Sequence, residues 1–331
     1  MSSSAVEAPH DVIVIGAGMA GLTAARRLAA AGLRVVVVDK GRALGGRMAT
    51  RRFAGARFDH GAQHFSARAP AFRAQVERWC EEGGVREWIR SPSVMNPHLG
   101  REPRHVGVGG MRSVPERLAS GLDVRTGVVV TGIERAGSGV TALIDGNRAV
   151  DAAGVILTAP VPQTLALLDA GHLDVPASVR SMLGGIRYDA CLAVMATLDG
   201  PSGLPDGHLT PDDDAIAWIA DNQHKGTSLE PSLTVHSTPG YAAAHLDGDP
   251  GTWTADLCAA AGPHLAGRVL TARGHRWRYA RPRTTLDIGA LALDRDSPVV
   301  LAGEVFSGAR VEGAYLSGRE AATQVLARRR A

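Results

Sequence analysis

The chain has 331 residues, 45% hydrophobic and 21% charged, with a formal net charge of +3. That length exceeds one small core and suits two domains or one domain with a large insertion. The arginines are scattered and aromatic residues make up only 4%, so no stacking platform for nucleic acid is expected.

The three cysteines, Cys80, Cys191 and Cys258, lie far apart with no CxxC pair. That argues against a disulfide scaffold, a metal site and a redox dithiol, and fits a reducing compartment. The opening "MSSSAVEAPH" lacks the basic start of a secretory signal, and no run of about 18 apolar residues occurs. A cytoplasmic protein with neither a signal peptide nor a transmembrane helix is expected.

In chain order, "DVIVIGAGMAGLTAARRLAAAGLRVVVVDK" predicts a βαβ unit. Val12 to Ile15 and Val35 to Val38 read as strands buried on both faces, and the alanine- and leucine-rich stretch between them as a helix stopped at Gly32. Gly16, Gly18 and Gly21 have the GxGxxG spacing. Such glycines permit a tight turn, close approach of a pyrophosphate, and contact between helix and strand. Asp39 closes the second strand where a carboxylate would hold ribose hydroxyls. This unit alone does not separate NAD from FAD.

Next come "GRALGGR" and "MATRRFAGARFDHGAQHF", then residues 70–90, which predict one or two amphipathic helices. Residues 105–137 predict a glycine turn, a short helix, a strand and a hairpin. The glycines of "VGVGGM" at 106–111 have the wrong spacing for a second dinucleotide turn and follow no proper strand. Residues 150–168 predict a buried strand and a helix. From about 165 to 275, runs such as "CLAVMATLD" and "SLTVHST" predict antiparallel strands, with "TWTADLCAAAGPHLAG" helical. The end predicts a buried strand at Val299 to Ala302, a Gly303-Glu304 turn and a final helix from near Glu312.

The run from Gly16 through Ala25, Leu28, Gly32, Val35, Val37 and Asp39 to Gly45, Gly46 and Arg47 resembles the extended FAD fingerprint of the amine oxidase-like flavoproteins. "GRMATR" and "DHGAQHF" look closest to the renalase-like branch. The resemblance implies an α/β fold: a Rossmann-like FAD-binding domain (1–70, 106–165 and 276–331) with an inserted antiparallel-sheet substrate domain (71–105 and 166–275). It implies non-covalent FAD, held by Gly16, Gly18, Met19, Ala20, Gly21, Asp39, Lys40, Gly45, Gly46, Arg47 and Met48. In the family the second glycine pair and its arginine meet the pyrophosphate, for which a guanidinium is suited. Gly61, Ala62, Gln63 and His64 would pass beside the isoalloxazine. Val130 would meet adenine, Gly303 and Glu304 would approach the ribityl chain, and Val311, Glu312 and Ala314 would begin a helix aimed at flavin N1 and C2, stabilising the anionic reduced ring.

Two activities compete. Amine oxidases of this superfamily carry a lysine bonded through water to flavin N5 and an aromatic pair around the amine. The chain departs from both: Lys40 lies beside Asp39, Lys225 sits in the polar run "DNQHKG", expected to be a loop, and Arg310 takes the place of a cage tyrosine. A guanidinium suits an anion or a nucleotide better than an amine. The renalase-like resemblance implies hydride transfer from isomeric dihydronicotinamide nucleotides, with oxygen as electron acceptor. That reaction yields an aromatic nicotinamide without a protein base. Candidate pocket residues are His64, Trp277, Tyr279 and Arg310, with Tyr241 and His245 further down. A strand over 276–279 would send Trp277 and Tyr279 to one face and Arg276 and Arg278 to the other. A flavin amine oxidase, another FAD-dependent dehydrogenase, or a non-catalytic flavin-binding module are the alternatives.

Overall fold

The computed structural model describes residues 10–89, 102–145, 148–293 and 299–328. The amino-terminal stretch read for a signal peptide lies almost wholly outside them.

The first βα turn organises one sheet. Strand His10–Ile15 runs parallel to Val35–Asp39 on one side and Arg148–Leu157 on the other. Asp123–Thr126 and Val299–Leu301 extend the parallel set outward. The hairpin Val130–Ala136 and Gly139–Ile144 joins antiparallel to the first half of Arg148–Leu157. Alternate residues face opposite cores. Val12, Val14, Val37, Ile156 and Val300 point toward helices Met19–Ala30 and Val311–Arg328; Ile13, Ile15, Val36, Val38 and Leu157 point toward the hairpin and helix Val161–Ala170. Both faces are covered, so these strands are continuous apolar runs.

The second sheet is antiparallel, in the order His208–Leu209, Ile216–Asp221, Ser232–Ser237, Tyr188–Leu198 and Val269–Pro282. Leu192, Val194, Ala196, Leu233 and Val235 face helices Pro239–His245 and Pro250–Ala261, where Trp253 and Leu257 are buried. The other face meets the hairpin Thr50–Phe53 and Ala56–Asp59: Met195 packs on Ala56 and Phe58. Fully burying Phe58 stabilises this joint by roughly 2–3 kcal/mol. The two sheets therefore close around the residues that follow Asp59.

Four expectations change. Residues 70–90 hold one helix, Pro70–Glu81; Gly83 at φ 70° ends it, and Val85–Ile89 is a strand paired with Arg104–Gly107. The glycine turn at 106–111 thus does follow a strand. Helix Pro70–Glu81 buries Phe72, Val76 and Trp79 in the core of the nucleotide-type sheet, so packing joins it to that unit rather than to the second sheet. Strand Val269–Pro282 pairs along Tyr188–Leu198 over its whole length, and a boundary at 275/276 would cut it in two. No helix of the described residues is long and apolar enough to cross a membrane.

Candidate active site

The site begins where strand His10–Ile15 ends in Gly16-Ala17-Gly18. Helix Met19–Ala30 starts there with no side-chain cap, leaving backbone N–H groups and the positive end of the helix dipole facing outward. A Cβ on Gly21 would lie 1.9 Å from the Gly16 carbonyl oxygen, so only glycine lets helix and strand approach so closely. Asp39 accepts from the Ala17 and Gly41 backbone N–H groups, each at 2.6 Å, which fixes the turn and leaves lone pairs over. Lys40 reaches Gln163 at 3.2 Å on the surface.

The second glycine turn lies against the first. The Gly45 N–H donates to the Ala17 carbonyl at 2.9 Å, and Gly45, at φ 109°, opens a short 3-10 turn over Gly46–Met48. A Cβ on Gly46 would stand 3.7 Å from the Gly18 Cα, so two stretches of bare backbone meet face to face. Arg47 is paired: both of its Nη groups grip Glu304, at 2.5 and 2.6 Å. Glu304 holds the guanidinium pKa above its ordinary value against the opposing effect of burial.

The opening motif then folds back. The Ala62 N–H donates to the Arg47 carbonyl at 2.8 Å, bringing turn 60–64 beside the second glycine turn. Gln63 is buried. Its Nε2 donates to the Asp59 and Gly61 carbonyls at 2.5 and 3.0 Å, and its Oε1 accepts from Lys225 Nζ at 2.9 Å. An ammonium has only donors, so it settles which way the carboxamide faces.

Lys225 lies in a loop, as expected, between strands Ile216–Asp221 and Ser232–Ser237, and the loop is turned inward. Its side chain is 0% exposed and pairs with Asp59 Oδ2 at 3.1 Å. Burial draws its pKa down and Asp59 opposes this. Around it stand Trp88, with Nζ 5.3 Å from the ring centre, and a cluster in which His64 lies 5.5 Å from Trp218 and Trp218 5.0 Å from His208. His64 is pushed down to about 3, first by burial and then by Arg104 and Lys225.

On the other side of Gln63, His236 Nε2 lies 3.2 Å from the His60 carbonyl, and His60 packs edge-on against His275 at 4.8 Å. Burial pushes His60 to about 3 and His236 and His275 to about 4. These rings are neutral at pH 7.

Strand Val269–Pro282 delivers Trp277 on the same face as His275 and Tyr279, while Arg278 pairs with Asp247 on the outside. Trp277 stacks on His60, whereas Tyr279 contacts Tyr188 at 5.5 Å. Arg310 lines a cleft of about 310 Å³ with Arg281 and Arg283, before the helix Val311–Arg328. Glu312 accepts from the Arg68 and Ala69 N–H groups at 2.7 Å, and Gly303 donates to Ser317 at 2.9 Å. Val130 starts its strand at the edge of the second core.

Tyr241 and His245 are not brought to this place. They stack on each other at 4.2 Å in helix Pro239–His245, on the far face of the second sheet, and Tyr241 donates to Asp256. Sequence reasoning missed Asp59, His60, Trp88, Trp218, Lys225, His236 and His275. Asp59 and His60 belong to the quoted "DHGAQHF" motif. Lys225 had a signal in its rarity: it is one of two lysines in a chain that otherwise uses arginine.

Residues 79–326 match the flavin containing amine oxidoreductase model, and residues 14–79 an NAD(P)-binding Rossmann-like domain. The chain belongs to the flavin-containing amine oxidoreductase family. It is an oxidoreductase, and FAD is its cofactor. Solved structures share the fold at low identity. Putrescine oxidase bound to putrescine superposes with a TM-score of 0.71 at 17% identity, over 97% of this chain and 100% of that one. A putative protoporphyrinogen oxidase from Exiguobacterium sp. 255-15 gives 0.70 at 14%, over 97% and 98%. Nicotine dehydrogenase of Pseudomonas putida is 37% identical over 70 residues, 21% of this chain and 14% of that protein. Hydroxyneurosporene desaturase of Rubrivivax gelatinosus is 49% identical over 59 residues, 18% and 11%. The chain thus spans only a small part of these curated relatives' length in the matched stretches. The residues present fit the cofactor of the family: the two bare glycine turns form a cradle that a side chain at Gly21 would disrupt.

Proposed function

We propose that the protein is an FAD-dependent oxidase that takes a hydride from a small anionic substrate, an isomeric dihydronicotinamide nucleotide fitting best. The observation that carries this reading is the arginine group at the site's edge. Arg310 lines the cleft with Arg281 and Arg283, and Arg104 lies close enough to His64 to depress its pKa. Such a rim attracts phosphate and repels a protonated amine.

On this reading the backbone at Gly16, Gly18, Met19, Ala20, Gly21, Gly45, Gly46 and Met48 would hold the pyrophosphate, with Asp39 at the ribose and Val130 near adenine. Turn 61–64, Gly303, Glu304 and the helix start at Val311, Glu312 and Ala314 would surround the flavin end. Bound FAD would accept the hydride and pass two electrons to dioxygen, giving hydrogen peroxide. Loss of hydride leaves the substrate an aromatic nicotinamide, so the chain needs no base. His60, His64, His236 and His275, with pKa values pushed down to about 3 or 4, are weak bases, which accords with that. The protein's work is to stack the rings and exclude water. A division into a discontinuous FAD unit and a unit built on the second sheet, with Val269–Pro282 wholly in the latter, completes the proposal.

Amine oxidation is the second reading, favoured by the position of Lys225 beside Gln63. Against it, the three N–H donors of that lysine already meet Asp59 Oδ2, Gln63 Oε1 and the Gln63 carbonyl. Oxygen uptake decides. Uptake with borohydride-treated NAD and none with putrescine, nicotine or other amines supports the first reading; the reverse pattern overturns it.

A further inference from the structure

Asp59 has more partners than a strand-end carboxylate requires. Its Oδ1 accepts from Thr50 Oγ1 at 2.5 Å and the Met111 N–H at 2.9 Å. Its Oδ2 accepts from Thr227 Oγ1 at 3.0 Å and Lys225 Nζ at 3.1 Å. These donors come from three places: the hairpin, the glycine turn before helix Ser113–Ala119, and loop 222–228 of the second sheet. The carboxylate is 0% exposed, and so is its lysine. An ion pair this deep is seldom kept for stability alone, because desolvation offsets most of the attraction.

We propose that Asp59 is a positioning residue for the cofactor-facing turn. It holds Lys225 as an ammonium whose remaining donors lock the Gln63 carboxamide and carbonyl in one orientation. Asp59 does not touch the flavin; it acts through Lys225 and Gln63. The other charged or titratable groups facing Lys225 do not take its place. Arg86, whose Nη2 bonds the Lys225 carbonyl, opposes a second positive charge, and His64 and His236 are neutral. Asp59 is the anion that keeps the ammonium charged. Without it, burial and Arg86 favour the neutral amine, and Lys225 becomes a titrating group beside the turn.

The inference rests on the reading that turn 61–64 borders the flavin, and the test separates the two. FAD-loaded wild type, Asp59→Asn, the double variant Asp59→Asn with Lys225→Met, and Gln63→Met are titrated from about pH 6 to 9 while the flavin visible spectrum is recorded. Asp59→Asn is expected to show a spectral transition in that window, absent from wild type and from the double variant, which identifies Lys225 as its source. A flat Asp59→Asn titration overturns the inference, as does a transition that survives in the double variant. A Gln63→Met spectrum identical to wild type removes the underlying reading; a Gln63-sensitive spectrum with a flat Asp59→Asn titration removes the inference alone.

Should Asp59→Asn fail to hold FAD, the double variant, which leaves no charge unpaired, carries the test through the flavin midpoint potential. Removal of the pair is expected to make it more negative than wild type, because the ammonium end, which touches Gln63, faces the turn while the carboxylate lies behind it. An unchanged potential overturns the proposal.

Discussion

Trp277 is bonded to His60 twice over: its ring stacks on the imidazole at 5.2 Å, and its indole N–H donates to the His60 carbonyl at 2.8 Å. That pair joins the last strand of the second sheet to the "DHGAQHF" turn. Trp277→Phe keeps the ring and removes the donor. It is expected to cost about 1 kcal/mol in denaturant unfolding, the scale of one buried hydrogen bond. A larger shift in the flavin spectrum than in stability would show that the pair orients the turn rather than merely packing it.

Gly21→Ala drives a methyl group into the Gly16 carbonyl oxygen. Helix Met19–Ala30 must then move away from the strand that aims its N-terminus. Purified protein is expected to lose its yellow colour, with FAD affinity at least roughly tenfold lower, a loss of about 1.4 kcal/mol. Gel filtration followed by flavin quantitation checks it.

Glu304→Gln leaves the Arg47 guanidinium without its carboxylate in a site where the two side chains are 29% and 10% exposed. Removing one partner of a largely buried pair costs roughly 3 kcal/mol. Chemical denaturation with and without added FAD should report both the instability and weakened cofactor retention. Arg47→Lys is expected to restore little, since one ammonium cannot make two parallel bonds.

Acid should unfold the protein through its histidines. His60, His64, His236 and His275 have folded pKa values depressed to about 3 or 4, below the ordinary 6.5. Below pH 6.5 the unfolded chain takes up protons that the folded chain refuses, so stability falls as pH drops through 6.5 toward those values; above 6.5 these groups contribute no slope. The Tm is expected to decline steadily from pH 6.5 to 4.5, and His236→Asn to decline less steeply. Equal slopes would contradict the assignment.

The nucleotide half of the fold was legible in the sequence because it is local. Val12 to Asp39 carries strand, turn, helix and acid in one uninterrupted pattern, and the buried strands follow from continuous apolar runs. Residues 85–89 were misread because "VREWI" is too short to separate helical from alternating periodicity once Gly83 and Gly84 intervene. Of the candidate site, the sequence names the glycines, Asp39, Gln63, His64, Trp277 and Arg310, but not the buried polar groups between them. Lys225 and Asp59 are 166 residues apart and meet only through sheet packing, which no local period encodes. Tyr241 and His245 stack within one helix, and nothing in their sequence says which face of the sheet that helix covers.

Arg310 separates the two activities. If it receives the charge of the substrate, Arg310→Ala raises KM for a phosphate-bearing dihydronicotinamide by roughly tenfold or more and leaves kcat largely unchanged, with an effect that shrinks at high salt. Arg310→Tyr would then improve binding of amines relative to nucleotides.

The most direct test is anaerobic stopped-flow mixing of the FAD-loaded protein with purified 2- and 6-dihydro-NAD(P). Fast, stoichiometric bleaching of the flavin, with peroxide on readmission of air, is the predicted result. A flavin that stays oxidised with these donors but bleaches with a small amine would contradict the account.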